Sequence, residues 1–92
     1  MLGICRRANH LICGRDSVKA SIHAGRARLI IFASDASQRL IDEITNLDTE
    51  IEVIITKYTM DALGLATGKR SGVFAIDDKG LKEAVLHKYR ED

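Results

Sequence analysis

The chain has 92 residues, of which 46% are hydrophobic, 29% charged and only 4% aromatic, so we expect one compact domain with an aliphatic core. No apolar run approaches the roughly 18 residues of a membrane span and no secretory signal is visible, which indicates a cytoplasmic protein without a membrane partner. The two cysteines, Cys5 and Cys13, are too few for a disulfide scaffold and lack metal-ligand spacing. We interpret both as buried reduced thiols.

The net charge of +1 conceals an uneven distribution along the chain. Residues 1–28 carry six basic side chains and one acid, whereas residues 29–56 carry one basic side chain and six acids. Such a sequence could present a cationic face to a polyanion while its overall charge stays low. Alternatively, the charges cluster only locally and intermix in the folded chain.

Four apolar runs have the length of strands: residues 11–13, 29–33, 51–55 and 73–76. The second run is continuous and rich in branched side chains, which predicts a central strand covered on both faces. The intervening segments have helical spacing, and a further helix is predicted before the first strand. This strict alternation indicates an α/β protein, a three-layer α/β/α sandwich with a four-stranded sheet, in a single domain spanning residues 1–92.

The predicted helices carry recognisable end signals. Val18 and Ile22 share a face behind Asp16, and Gly25 then stands where a helix ends in the left-handed conformation. Asp35, with Gln38 three residues later, predicts a capping box for the next helix. That helix carries its apolar face on Leu40, Ile41, Ile44 and Leu47. Thr59 is the predicted cap of a short helix with Met60 and Leu63, and the pair Asp77 and Asp78 precedes the last helix with Leu81, Val85 and Leu86.

No arrangement of residues predicts catalysis. His10, His23 and His87 are far apart in sequence, and none stands at a metal-ligand spacing from a cysteine or carboxylate. Ser17 and Ser21 lack a nucleophile-elbow pattern. Asp77 and Asp78 could serve as acid and base, but helix capping explains them better. We therefore expect no catalytic residue, no metal and no cofactor.

Two basic segments are more informative. The first basic segment, residues 14–19, runs Gly14-Arg15-Asp16-Ser17-Val18-Lys19 between a strand and a helix start, where free N–H groups and the helix dipole favour an anion. The second basic segment, residues 68–72, runs Gly68-Lys69-Arg70-Ser71-Gly72 before the last strand. Its glycines permit close approach of a partner, and its two cations suit phosphate.

The order and spacing of these segments resemble a known family. The stretch from Gly14 through Gly25-Arg26-Ala27-Arg28-Leu29 to Asp35, the opening residues 2–8, and the later residues 63–69 and 73–81 are similar to the kink-turn-binding ribosomal protein superfamily. This group contains large-subunit proteins of the seven-Ae and thirty-e types, and the chain most resembles its small bacterial YlxQ-like members. The resemblance implies an α/β/α fold around a mixed four-stranded sheet and binding to a kink-turn, an RNA duplex bent at a short bulge next to sheared G·A pairs.

In that family the first segment enters the major groove at the G·A pairs, and the second covers an extruded nucleotide. The resemblance therefore implies RNA-binding roles for Gly14, Arg15, Asp16, Ser17, Lys19, Lys69, Arg70 and Ser71. Arg6, Arg7, Arg26 and Arg28 could extend the basic face. The expected partner is structured, kink-turn-like RNA, with the ribosome as a candidate location and a monomer as the free state.

The chain departs from the family's Gly-x-Asn-Glu-x-x-Lys pattern at three positions. Asp16 stands at the asparagine, Ser17 replaces the glutamate and Ala20 occupies the lysine position. A second hypothesis therefore stays open: a protein-interaction or structural module of the same fold that has lost kink-turn recognition. Its partner would bind an acidic face around Asp42, Glu43, Glu50 and Glu52.

Overall fold

The computed structural model describes residues 11–68 and 70–91 of the chain. Within them, four strands alternate with four helices: β1 (Leu11–Cys13), α1 (Arg15–His23), β2 (Leu29–Phe32), α2 (Gln38–Thr45), β3 (Glu52–Ile55), α3 (Met60–Thr67), β4 (Val73–Ile76) and α4 (Lys79–Glu91). The predicted alternation is confirmed for these residues. The helix predicted before the first strand lies outside them, and so does Lys69.

The four strands form one mixed sheet in the order β1-β4-β2-β3. β4 runs antiparallel to both β1 and β2, whereas β2 and β3 are parallel. Every residue of β2 and β4 is buried, because these strands lie in the centre of the sheet, so the prediction of a central second strand is confirmed. β1, β2 and β3 end where β4 begins, and we call this edge of the sheet the Val73 end.

Helices cover both faces of the sheet. Because side chains alternate along a strand, Leu29 and Ile31 face a core shared with α3 and α4, whereas Ile30 and Phe32 face a core shared with α1 and α2. The three-layer α/β/α sandwich is therefore confirmed. None of the helices described is long and apolar enough to cross a membrane.

Most of the predicted helix ends are confirmed. The Thr59 hydroxyl accepts a hydrogen bond from the Ala62 N–H at 3.2 Å, and the Asp78 carboxylate accepts one from the Leu81 N–H at 2.8 Å. Gly25 has a φ of 72°, the left-handed conformation expected after α1.

Two sequence predictions are wrong. Ser37 caps α2, because its hydroxyl accepts a hydrogen bond from the Leu40 N–H at 3.1 Å. Asp35 instead accepts a hydrogen bond at 2.9 Å from the N–H of Met60, and so joins the β2–α2 connection to the start of α3.

The second wrong prediction concerns a cysteine. Cys13 is only half-buried, because it lies on an edge strand and packs against the core from one side. Cys5 lies outside the described residues.

Candidate functional site

The two basic segments lie side by side at the Val73 end of the sheet. The Gly14 N–H donates a hydrogen bond of 3.2 Å to the carbonyl oxygen of Val73, because β1 runs antiparallel to β4 and ends beside its first residue. Arg15 and Ser71, one from each segment, line the same cavity of about 470 Å³. Residues that are more than fifty positions apart in sequence thus form one continuous surface.

No side chain among the described residues caps the start of α1. Gly14 precedes the helix with a φ of 96° and a ψ of 151°, a conformation that is essentially restricted to glycine. Arg15, Asp16 and Ser17 are exposed, and their backbone N–H groups have no acceptor within the part of the chain that the structure describes. This terminus therefore offers unused donors and the positive end of the helix dipole to a partner.

The cations of the first segment converge on one carboxylate of α2. The Arg15 Nε lies 2.6 Å from Glu43 Oε1, and its second contact is a hydrogen bond of 3.1 Å from Nη2 to Oε2. Lys19 Nζ lies 3.8 Å from the same Oε2. The sequence assigned Glu43 to an acidic face, but the fold brings it against the basic segment because α1 and α2 cover the same face of the sheet.

The second segment holds its described cation differently. Arg70 Nε lies 2.5 Å from Asp61 Oδ1, at the start of α3, and both side chains are largely exposed. The hydrogen bond to Asp61 raises the pKa of Arg70 above its ordinary value, with further contributions from the charges of Asp61 and Asp35. Arg70 is therefore charged under all ordinary conditions.

Ser71 is engaged within the protein. Its hydroxyl donates to the Val73 carbonyl oxygen at 2.9 Å, and the Val73 N–H approaches the same hydroxyl at 3.3 Å. The side chain therefore supports the turn into β4, and a partner that used this hydroxyl would have to replace those bonds.

Close packing explains the glycines that recur around the second segment. A Cβ on Gly64 would lie 3.2 Å from the Cα of Arg70, and one on Gly72 would lie 3.1 Å from the Leu40 side chain. Both positions thus let the segment lie tightly against α3 and α2.

Two cations near the site were not singled out from the sequence. Arg39 lines the cavity shared by the two segments and has no ion-pair partner among the described residues. Lys57 follows β3 at the same end of the sheet, with its Nζ 5.6 Å from the centre of the Tyr58 ring. The only available signal was that Arg39 is the lone basic side chain in the acidic stretch 29–56.

Other charged residues that the sequence analysis named lie away from the two basic segments. Arg26 and Arg28 precede β2 at the opposite end of the sheet, where the Arg28 N–H donates to the Ile76 carbonyl oxygen, so they do not adjoin the two segments. Glu52 lies 3.6 Å from Arg90 at the β3 edge. Two of the acidic residues, Glu43 and Glu52, therefore pair with cations from distant positions of the chain. Arg6 and Arg7 lie outside the described residues.

The histidines do not gather into a site within the described residues. His23 is exposed in the last turn of α1 and His87 is exposed on α4, while His10 lies outside the described range. In residues 11–68 and 70–91, no three His, Cys, Asp or Glu side chains come close enough together to hold a metal ion.

Three comparisons relate this chain to known proteins. The model of the ribosomal protein L7Ae/L30e/S12e/Gadd45 family matches residues 2–86. The chain is 30% identical over 88 residues to the RNA-binding protein YlxQ of Bacillus subtilis (strain 168), covering 94% of this chain and 88% of YlxQ. It also resembles a solved structure of a protein with unknown function from Bacillus halodurans, with a TM-score of 0.85 and 26% identity over 94% of this chain and 89% of that one.

Proposed function

The chain belongs to the ribosomal protein L7Ae/L30e/S12e/Gadd45 family, and from this membership we propose that it is an RNA-binding protein that recognises a kink-turn or a similarly bent RNA. The observation that carries the proposal is the junction of the two basic segments at the Val73 end, marked by the hydrogen bond from Gly14 to Val73. A surface built from both segments can contact the two sides of a bend at once. The similarity to an RNA-binding protein supports the same partner.

We assign the base-reading role to the start of α1. The backbone at Gly14 and the side chains of Asp16 and Ser17 would contact the edges of the sheared G·A pairs. The unused N–H groups at this helix terminus support the assignment, since they can donate to acceptors on base edges or to phosphate. Asp16 can accept from the N–H edge of a guanine.

We assign phosphate contacts to Arg15, Lys19, Lys69 and Arg70, with Ser71 bordering the bound RNA. The cavity of about 470 Å³ between the segments supports a role for splayed bases, because structured RNA is recognised largely through shape and unstacked nucleotides. Arg39 lines that cavity and adds a cation that a phosphate could reach without first displacing a protein carboxylate.

A titration of the protein against a kink-turn RNA and an unbent duplex of equal length tests the proposal. If about five phosphates are engaged, the log–log slope of affinity against salt concentration is expected to be roughly −3.5 to −4.5. Tighter binding of the kink-turn at both of two salt concentrations is the expected result. Equal binding of the two RNAs would reduce the function to nonspecific attraction.

The second candidate function is a module that keeps the fold but has lost kink-turn recognition. The departures at Asp16, Ser17 and Ala20 favour it. Ser17 and Ala20 are both exposed on α1, so Ser17→Glu and Ala20→Lys can be introduced together without overpacking the core. If the natural chain does not discriminate and the double variant does, the loss lies at these positions. If the natural chain already prefers the kink-turn, this alternative is rejected.

We further propose that residues 1–92 act as one non-enzymatic domain in the cytoplasm, that the free protein is a monomer and that the ribosome is a site of action. The ribosomal-protein family supports the last point. Sedimentation of the free protein tests whether it is a monomer. Co-migration with ribosomal particles at low salt, lost after nuclease treatment, tests an RNA-dependent association with them.

A further inference from the structure

Glu43 contacts both basic side chains of the first segment that the proposed function assigns to phosphate. It makes a two-point contact with Arg15, at 2.6 and 3.1 Å, and lies 3.8 Å from Lys19. Asp16 adds a second negative charge in the first turn of α1. The two cations of this segment thus lie beside two carboxylates, Asp16 on α1 and Glu43 on α2.

The contact between Glu43 and Arg15 has the geometry with which arginine binds a phosphate. Two guanidinium nitrogens meet the two oxygens of one carboxylate, Nη2 through a hydrogen bond and Nε through an ion-pair contact, and a phosphate can take the same two nitrogens. A phosphate that takes these donors must displace Glu43. One that approaches the remaining N–H groups of Arg15 must lie near the negative charge of Glu43.

The exposure of the three side chains makes such an exchange accessible. The Arg15 side chain is 55% exposed, that of Glu43 35% and that of Lys19 30%. Ion pairs at this exposure are weak because water screens them, so RNA can replace the carboxylate without unfolding any element. Glu43 lies beside the buried Ile44 on α2, which keeps its backbone fixed relative to α1.

We propose that Glu43 is a built-in competitor for RNA phosphate: it holds Arg15 and Lys19 in the free protein and lowers the affinity for any RNA that offers phosphates alone. This inference rests on the proposed RNA-binding function and adds a residue that regulates binding at the same site. Nonspecific binding of nucleic acid comes almost entirely from phosphate contacts. A carboxylate that competes for those contacts therefore weakens nonspecific binding most. Stable binding is then restricted to RNAs that also supply base or shape contacts.

The test compares Glu43→Gln with the matched control Asp42→Asn. Both variants remove one negative charge from adjacent positions of α2, but Asp42 accepts a hydrogen bond from Gln38 at 2.8 Å and forms no ion pair with a described residue. Glutamine keeps the shape of Glu43 while giving up its charge. Unchanged urea midpoints would show that both variants fold as the natural chain does.

For the unbent duplex, we expect Glu43→Gln to raise affinity about threefold to tenfold and to steepen the salt slope by up to about 1. Asp42→Asn should change affinity less than about twofold. Adding Arg15→Gln to Glu43→Gln should remove most of the gain. An equal gain for Asp42→Asn, or no gain for Glu43→Gln, would overturn the inference.

The two proposals fail in different ways. The proposed function fails if the natural chain binds the kink-turn RNA no better than the unbent duplex. The competition by Glu43 fails if the ratio between the Glu43→Gln and Asp42→Asn affinities for the unbent duplex is close to one. Each result is read from a different pair of titrations.

Discussion

The two basic segments at the Val73 end hold their arginines in different ways. Arg15 contacts Glu43, which is 28 positions away on another helix, and shares that carboxylate with Lys19. Arg70 contacts Asp61, only nine positions away, and both side chains of this pair are largely exposed. The first arrangement depends on the packing of α1 against α2, whereas the second is a local surface contact.

The backbones of the segments differ as well. The first segment depends on the unusual φ and ψ of Gly14, where an added Cβ would meet no atom of the residues that the structure describes. The second depends on close packing, since a Cβ added to Gly64 would lie 3.2 Å from the Cα of Arg70 and would require a small shift of the segment. A glycine turn that leaves N–H donors unused suits direct backbone contact with a partner, whereas a tightly packed turn holds its side chains in a fixed position.

The largest effect on stability is expected from Gly14→Ala. An alanine at a φ of 96° and a ψ of 151° costs about 1–3 kcal/mol. The matched control is Gly25→Ala, because at both glycines an added Cβ would meet no atom of the described residues within 4 Å, so the comparison is one of backbone strain. Gly25 lies in the left-handed region, where an ordinary residue costs about 1–2 kcal/mol. Urea unfolding measures both, and a smaller loss for Gly14→Ala than for Gly25→Ala would contradict this account.

Next in size is the effect of removing the two arginines on RNA affinity. Arg15→Gln should weaken binding of a kink-turn RNA by about tenfold and Arg70→Gln by less, each flattening the salt slope by about 1. Arg15 adjoins the unused N–H donors of α1, so loss of its phosphate contact should also disturb the contacts of that helix start with the bases. Arg70 contributes only its charge.

Arg28→Gln is the control for those titrations. It removes the same charge at the opposite end of the sheet, where the Arg28 N–H donates to the Ile76 carbonyl oxygen. We expect little change in affinity. If all three variants weakened binding equally, net charge and not the two segments would govern the affinity.

The serines of the two segments should also differ in their effect on stability. Ser71→Ala removes the hydroxyl that bonds to Val73 and is expected to lower the free energy of unfolding by about 0.5–1.5 kcal/mol. Ser17 is exposed, so Ser17→Ala should change the free energy of unfolding by less than about 0.5 kcal/mol. Chemical denaturation of both variants gives the comparison. A loss at Ser17 as large as the loss at Ser71 would show that the first segment also uses its side chain for folding.

Local patterns predicted much of this architecture. The apolar runs identified the four strands of the described residues. Thr59 and Asp78 are predicted as caps from their residue types and positions, and each accepts a hydrogen bond from an N–H three residues later. Asp35 has the same local pattern, yet its carboxylate bonds to the N–H of Met60, 25 positions away. A cap signal in the sequence cannot distinguish its own helix from one that the fold brings near.

The same limit applies to the site. The two segments could be picked out because glycine and basic residues follow or precede strands. The pairing of Arg15 with Glu43 could not, because it depends on which helices share a face of the sheet. The division of the chain into a basic and an acidic stretch left open whether the charges form separate faces or intermix. The fold brings Glu43 of the acidic stretch into contact with Arg15 and Lys19 of the basic stretch.

The smallest effect on stability is expected where the contact is most local. Asp61→Asn removes the charge that pairs with Arg70, and we expect at most a small fall of the urea midpoint, because both side chains are mostly exposed and water screens the pair as well as the charge of Asp61 in the first turn of α3. The variant lowers the pKa of Arg70 towards its ordinary value, but the guanidinium stays charged. RNA affinity should rise less than in Glu43→Gln, since Asp61 contacts one described cation and Glu43 contacts two. A larger gain for Asp61→Asn in parallel titrations would mean that the second segment, and not the first, is the one restrained by its carboxylate.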